Sequence, residues 1–187
     1  HIHQSKKGSR MKTERLEQYG SGIIGLDEVK AHVRVDGDFE DAELDRMMVS
    51  AVIEAQEHAS IAFRFQAIRV TLDAWPRSRS LALPIGPLLD WSSVSVTAAG
   101  SEFEDFSALT GQRPELRLTS ARPAGQIIIE YIAGFGETGA EVPEDLRHAL
   151  LDQVAAYYDA RGAVDRKTAA LSPHFARIVG RYRGVRS

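Results

Sequence analysis

The hydrophobic residues before position 65 are spaced as in two amphipathic helices. Residues 26–35 contain a short stripe with steps of three and four, made of Leu26, Val29 and Val33. Gly37 ends this segment, and an aspartate can then cap a longer helix that we predict over 41–64. Much of the stripe on the longer helix is alanine, so a partner element can approach it closely. The stripe consists of Leu44, Met48, Ala51, Val52, Ala55, Ala59 and Ala62.

The hydrophobic period changes from about 3.6 to two in residues 67–133, which predicts a lobe of short β-strands. The segments 67–75 and 93–98 alternate between apolar and polar residues. The most apolar segment, 126–133, is expected at the centre of the sheet. Turn residues separate the short segments, so we predict a small antiparallel sheet or a barrel-like lobe.

Helical spacing returns after the strands. A proline opens a strong helix over 143–161, with acidic residues in its first turn, and a basic helix follows from about residue 172. This order predicts the α+β class. We expect a helical bundle of two long and two shorter helices, with a small antiparallel β-sheet lobe inserted between the second and third helices. The predicted segments are a disordered or added extension over 1–12, one domain over 13–171 and a basic segment over 172–187.

The composition excludes several kinds of protein. The 187 residues contain no cysteine, which excludes disulfides, thiolate zinc sites and cysteine nucleophiles. No stretch approaches the roughly 18 uninterrupted apolar residues of a membrane span, and no signal peptide is visible. We therefore expect a soluble intracellular protein with Met11 as its natural start.

The net charge of −3 hides an uneven distribution. Residues 1–12 carry four basic groups and no acid, and residues 161–187 carry seven basic groups and one acid. Residues 13–160 carry 12 basic and 25 acidic groups, a net charge of −13. Such blocks are typical of interaction tails, although a solvated terminus explains them equally simply. The sharper hypothesis is docking onto an acidic surface of a protein or a nucleic acid.

The segment GFGETG at 134–139 matches the glycine pattern of dinucleotide-binding loops in form only. In those loops the last glycine lies at the start of a helix, where backbone amides meet the phosphates. Here three residues separate Gly139 from Pro143, which opens the predicted helix, and the acidic pair Glu144–Asp145 disfavours an anion. We predict a strand-to-helix loop and no cofactor.

We predict no catalytic residues and no metal site. His148 and Asp152 are one helical turn apart, with Glu144 one turn earlier, so a one-sided metal site is conceivable. Such groups on an acidic helix face are more often solvated. The other candidate histidines are His32, His58 and His174. We expect His32 and His174 each to stand alone.

The C-terminal segment combines basic and apolar side chains on one predicted helix. Its arginines could hold phosphates, which favours a nucleic acid. Its apolar side chains could instead fill a groove on a protein, and the acidic remainder of the chain would repel DNA. The candidate docking residues are Phe175, Arg177, Ile178, Arg181, Tyr182 and Arg183.

Several motifs occur in an order that resembles a known family. The segment LDEVKAHVRVD begins at residue 26, and an acidic D-x-x-D-A-x-L segment follows. LPIGPL precedes SVSVTAAG among the strands, IIIEYIAGFGE leads into the helix VPEDLRHALLDQVAAYY, and RYR stands near the end. Over about residues 26–184, the chain resembles the head–tail connector (adaptor) family of long-tailed bacteriophages and gene transfer agents.

The resemblance implies a structural protein of the virion that is not an enzyme and binds no cofactor. Members of this family form a dodecameric ring beneath the portal protein and extend the DNA channel toward the stopper and the tail. Residues 172–187 would then be the portal-docking segment, present at the head–tail interface of the virion and in the host cytoplasm during assembly.

The resemblance also implies roles for the acidic body and the long helix. Like charge would let genomic DNA slide through the ring without specific binding, and no membrane is involved. A heterologous interface would close the ring. The residues expected to pack against ring neighbours are Met48, Ala51, Val52 and Ala55. The alternative hypothesis is a DNA-binding accessory protein that uses the arginine-rich C-terminal helix.

Overall fold

A computed structural model of the chain describes residues 10–17, 20–161 and 170–183. The described residues form two compact units. The strand unit comprises those in His1–Glu17 and Gln66–Ala133, and the helical unit comprises those in Gln18–Phe65 and Gly134–Ser187. The fold is α+β, as the hydrophobic pattern predicts. The helical and the strand patterns of the sequence thus correspond to two compact units.

The strand unit contains two antiparallel sheets. Five strands pair in the order β1-β2-β8-β4-β5, and three pair in the order β3-β7-β6. The strands are β1 (Met11–Arg15), β2 (Gln66–Leu72), β3 (Ser80–Ala82), β4 (Ser95–Ala98), β5 (Ser101–Glu102), β6 (Phe106–Leu109), β7 (Glu115–Leu118) and β8 (Ile127–Ala133). In β2 and β8 every second side chain is buried, so each strand turns one face to the core.

β1 begins inside the segment that the sequence predicts as an extension. Met11 and Lys12 pair in register with Leu72 and Thr71 of β2, so the fold includes both residues. The sequence MKTER gave no strand signal, because only one of its five residues is strongly apolar and alternation was therefore not visible. Residues 1–9 of the predicted extension lie outside the described residues.

A buried tyrosine fixes the segment LPIGPL against the large sheet. The Tyr131 hydroxyl donates to the Ile85 carbonyl at 2.9 Å and accepts from the Ile85 backbone N–H at 3.1 Å. Burial raises the pKa of the Tyr131 hydroxyl above its usual value. The neighbouring Gly86 is required for space, since a Cβ there would lie 2.3 Å from the carbonyl oxygen of Gln112.

The helical unit contains four helices, and its boundaries follow the predicted ones closely. They are α1 (Leu26–Val33), α2 (Asp41–Ala59), α3 (Glu144–Ala160) and α4 (Pro173–Tyr182). The helix α2 ends before the predicted residue 64, because Ser60 adopts a left-handed conformation with φ of 55° and caps it. No helix in the described part of the chain is long and apolar enough to cross a membrane.

The alanine-rich stripe of α2 lies in the core of the helical unit, where α2 packs against α3 and α4. The residues predicted to pack against ring neighbours are buried within one copy of the chain. They are Met48, Ala51, Val52 and Ala55. The prediction of their role is therefore corrected: the close approach that alanine permits is used by helices of the same chain.

Candidate functional site

The C-terminal helix α4 is packed into the helical unit. Phe175 and Val179 are fully buried in the core cluster, and Ile178 is nearly so. The prediction that Phe175 and Ile178 are exposed docking anchors is therefore corrected. The sequence could not reveal this, because an amphipathic stripe has the same pattern whether its partner lies in the same chain or in another.

Polar contacts attach both ends of α4. The backbone N–H of Ser172 donates to Oε1 of the buried Gln153 at 2.8 Å, and the Ser172 hydroxyl caps the helix by accepting from the Phe175 N–H at 3.4 Å. At the other end, the Tyr182 hydroxyl donates to Oδ1 of Asp145 at 2.8 Å. Partial burial, together with this hydrogen bond, raises the pKa of Tyr182 to about 12. Tyr182 therefore also has a structural role.

The arginines of the predicted docking set remain outside. Arg177 and Arg181 are exposed and stand four residues apart, so they share one side of α4. Arg183 is exposed just beyond the helix. The set predicted from the sequence is thus divided into an inner apolar side and an outer cationic side, and the outer side can meet an anionic surface. Residues 184–187 of the segment lie outside the described residues.

Part of the basic charge near the C-terminus is already paired within the chain. Nη1 of Arg161 lies 2.6 Å from Oε1 of Glu40, and its guanidinium stacks on the ring of Tyr158 at 3.7 Å. The Tyr158 hydroxyl donates to the other oxygen of Glu40 at 2.7 Å. These two contacts lower the pKa of Glu40 and join the end of α3 to the start of α2. Arg161 is therefore a structural residue.

The glycines of GFGETG are explained by close packing within the chain. Gly134 has φ of 147°, and a Cβ at Gly139 would lie 2.3 Å from the Ile23 carbonyl oxygen. A Cβ at Gly136 would lie 2.5 Å from the side chain of Glu141. The loop around these glycines is filled by the chain's own atoms.

Arg147 is an important residue that the sequence analysis missed. Its Nη2 donates to both carboxylate oxygens of Glu28, at 2.7 and 2.9 Å, and its Nη1 donates to the carbonyls of Gly139 and Ile23. The backbone N–H of Gly25 and the Arg147 guanidinium lower the pKa of Glu28. This clamp joins α3 to α1 and to the glycine loop. Glu28 and Ile23 are 119 and 124 residues away in the sequence, so no local motif announces this clamp.

The helices bring together histidines that were expected to stand alone. His32 from α1 and His174 from α4 both reach Asp152 on α3, where His148 stands one turn away. Glu144, the third group of the site considered from sequence, instead lies 3.6 Å from Arg147 and is largely exposed. The expectation of isolated histidines at 32 and 174 is therefore wrong. We call His32, His148, Asp152 and His174 the histidine cluster.

The outer side of the five-stranded sheet is mostly polar, with an ion pair at 2.6 Å between Arg69 and Glu130. At one end of this sheet, apolar side chains remain exposed. The backbone N–H of Leu16 donates to the Ala67 carbonyl, Ala67 pairs with Ile132, and the Ile132 N–H donates to the hydroxyl of Ser93. These contacts place Leu16, Ile132 and the Trp91–Ser93 turn at the same end of the sheet. The apolar row consists of Leu16, Trp91 and Ile132, exposed by 46%, 65% and 38%. Exposed apolar groups of this size suit contacts with another protein.

Comparison with solved structures identifies a shared fold. A chain in the neck of an empty GTA particle, computed with C6 symmetry, has 24% identity and a TM-score of 0.73, with 94% of this chain and 97% of that chain covered. A chain in the virion of a native gene transfer agent (GTA) particle has 22% identity and a TM-score of 0.73, covering 94% and 96%. A chain in the neck of a native GTA particle, computed with C12 symmetry, has 20% identity and a TM-score of 0.73, covering 94% and 97%.

No protein-family model and no curated protein matches the chain. At 20–24% identity, the similarity to the three structures establishes the fold of this chain, over nearly its whole length.

Proposed function

We propose that this protein is a structural component of the neck of a gene transfer agent or phage particle. The observation that carries the proposal is the shared fold, which covers 94% of this chain and 97% of a chain from a GTA neck. Coverage of both chains means that both units have counterparts there. A structural role also agrees with a surface whose prominent features are an apolar row and a cationic helix face.

Within the neck, we propose that the protein is the adaptor beneath the portal protein and assembles as a dodecameric ring. The order of motifs that resembles the connector family supports this position. The C12 symmetry used for one related neck agrees with a ring of twelve copies, and the C6 symmetry used for another also divides such a ring evenly. The stopper would follow on the tail side, and genomic DNA would pass through the ring without specific binding, repelled by the acidic body. Assembly would take place in the host cytoplasm.

Two surfaces are available for these contacts. The outer side of α4, with Arg177 and Arg181, supports docking onto an acidic face of the portal, because its charges stand free of the apolar core. The apolar row supports the contact between copies, in place of the α2 stripe that the chain uses internally. In a closed ring this contact is heterologous, so the row meets a different patch on the neighbour.

The test is assembly with the portal protein of the same particle. We expect the chain mixed with portal rings to give a second ring in electron micrographs and a mass increase of twelve copies. The charge reversal Arg177→Glu/Arg181→Glu should abolish this binding and leave the fold intact, since both side chains are exposed. The matched control is Arg46→Glu/Arg77→Glu, which makes the same charge change at exposed positions on other elements of the chain.

Equal binding by both variants would overturn the docking role of α4, and absence of any complex between the unaltered chain and the portal would overturn the adaptor assignment. The alternative, a DNA-binding accessory protein, predicts DNA affinity that falls steeply with salt and is lost in Arg177→Glu/Arg181→Glu. The adaptor predicts no measurable DNA binding at low salt.

A further inference from the structure

The histidine cluster joins three helices around one carboxylate. Nδ1 of His174 lies 2.5 Å from Oδ2 of Asp152, and Nδ1 of His148 lies 3.9 Å from the same oxygen. On the other side of the carboxylate, Nε2 of His32 lies 3.1 Å from Oδ1. The rings of His148 and His174 meet edge to face, with their centroids 5.2 Å apart. The imidazoles of His148 and His174 thus both approach Oδ2 of Asp152, while the imidazole of His32 lies next to Oδ1.

The convergent atoms have the spacing of metal ligands. One donor atom from each of His148, Asp152 and His174 can be chosen so that all three lie within 4.8 Å of one another. With zinc bonds of 2.0–2.1 Å in a tetrahedral site, neighbouring donors stand about 3.3 Å apart. The 2.5 and 3.9 Å separations from Oδ2 lie on either side of this value, so each of these pairs is within about 1 Å of it.

The chemistry of the donors also fits a transition metal. Two imidazoles and one carboxylate are a common set for zinc sites that leave one position open, and imidazole suits Zn²⁺, Cu²⁺ and Ni²⁺ better than Mg²⁺ or Ca²⁺. His148 is exposed, so the open position can be reached by water or by a group from another molecule. His32 is within hydrogen-bonding distance of the other oxygen of Asp152, Oδ1, and so positions this carboxylate. In metal sites, residues that do not bind the ion commonly position the ligating groups in this way.

The backbone holds two of the three ligands before any ion arrives. His148 and Asp152 are one turn apart on α3, so their side chains share a face. His174 is the second residue of α4, whose first turn is fixed by the Ser172 cap and by Gln153. The cluster is therefore built from elements that the core already positions.

We propose that His148, Asp152 and His174 bind one divalent transition-metal ion, with zinc as the preferred ion, and that His32 positions the Asp152 carboxylate. The ion would cross-link α3 to the first turn of α4, the helix that carries Arg177 and Arg181. This inference does not rest on the proposed function, because the site lies within one copy of the chain.

The test is a calorimetric titration of Zn²⁺ into the metal-free full chain. His1 and His3 can also bind zinc, so the background for every measurement is the variant His1→Gln/His3→Gln. In this background we expect one equivalent of zinc and a higher melting temperature with zinc than with Mg²⁺. Co²⁺ in place of zinc should give the intense visible absorption of a four-coordinate site.

Single substitutions then identify the ligands. His148→Gln and His174→Gln should each weaken zinc binding by more than 100-fold, and His32→Gln by about 10- to 100-fold, as for an outer partner. His58→Gln is the matched control, since His58 lies on α2 outside the cluster, and it should change nothing. His148 is exposed, so we expect its substitution to leave the fold intact, and circular dichroism checks the fold of each variant.

Two results would overturn the proposal. One is that the background variant binds no zinc at micromolar concentration. The other is that His148→Gln and His174→Gln, folded as judged by circular dichroism, keep the zinc affinity and the Co²⁺ spectrum of the background.

Discussion

The helix α4 and the end of the five-stranded sheet treat their apolar side chains in opposite ways. The helix α4 turns Phe175 and Val179 into the core of the helical unit and leaves Arg177 and Arg181 exposed. In the strand unit, the sheet covers one face and leaves Trp91 and Ile132 exposed at its end. From the sequence, docking was predicted for the α4 segment and not for the end of the sheet. The difference teaches that an amphipathic pattern locates an apolar face, while only the neighbouring elements decide whether that face is free for a partner.

The largest expected effect comes from emptying the core under α4. Phe175→Ala removes a fully buried ring and should lower the free energy of unfolding of the protein by about 3–5 kcal/mol, measured by urea unfolding. Arg177→Ala, on the exposed side of the same helix, is the control and should change it by less than about 0.5 kcal/mol. If Phe175→Ala instead left stability unchanged and abolished portal binding, Phe175 would be a docking anchor and the comparison would fail.

A smaller effect is expected where α4 is tied down at its end. Tyr182→Phe removes the hydrogen bond to Asp145 and should cost about 1 kcal/mol. The pKa of Tyr182 is raised from 10.0 to about 12, so the stability it contributes is complete below pH 10 and is lost as the pH rises through about 12. The free energies of unfolding of the unaltered chain and of Tyr182→Phe should therefore differ at pH 8 and converge above pH 12. A difference independent of pH would show that the lost ring contact, rather than the hydrogen bond, matters.

The smallest effect on stability is expected in the apolar row. Trp91→Ser removes a side chain that is 65% exposed and should change the free energy of unfolding by less than about 0.5 kcal/mol. If the row joins copies in a ring, the same change should weaken self-association about 30-fold, as for an interface hot spot worth about 2 kcal/mol. Phe39→Ser removes another exposed aromatic side chain, in the helical unit, and should leave association unchanged. Sedimentation of the three proteins with portal rings measures this, and equal association by all three would remove the row as a contact.

The acidic side of the pH scale tests the helical unit alone. The pKa of Glu28 is lowered by the Gly25 N–H and by Arg147, so the clamp contributes stability above about pH 4.5 that is lost as the pH falls. Glu28→Gln should abolish that part of the acid dependence of unfolding. If the free energy of unfolding decreased equally with falling pH in both proteins, the Arg147 clamp would add little to stability.

The sequence alone determined the helices, the central strand and the class of the fold. Periods of 3.6 and two depend on neighbours along the chain, so the four helices and the central strand β8 could be predicted, and Ser172 marked the start of α4. The aspartate predicted to cap the long helix does not do so, since the N-cap of α2 is Glu40, without a side-chain capping bond. The edge strand β1 escaped because a short paired edge needs little hydrophobic alternation, and its ladder to β2 joins residues remote in sequence.

The tertiary structure decided which residues meet. The apolar side of α4 was visible as a pattern, but its burial depended on α2 and α3. The α2 stripe in turn packs against α3 and α4 instead of a ring neighbour. Arg147 binds Glu28 and the Ile23 carbonyl across 119 and 124 residues, and His32 and His174 reach Asp152 across 120 and 22 residues. Local periodicity is set by bonded neighbours and can be read along the chain, whereas side-chain clusters arise from packing between distant segments, which a single sequence does not encode in any local pattern.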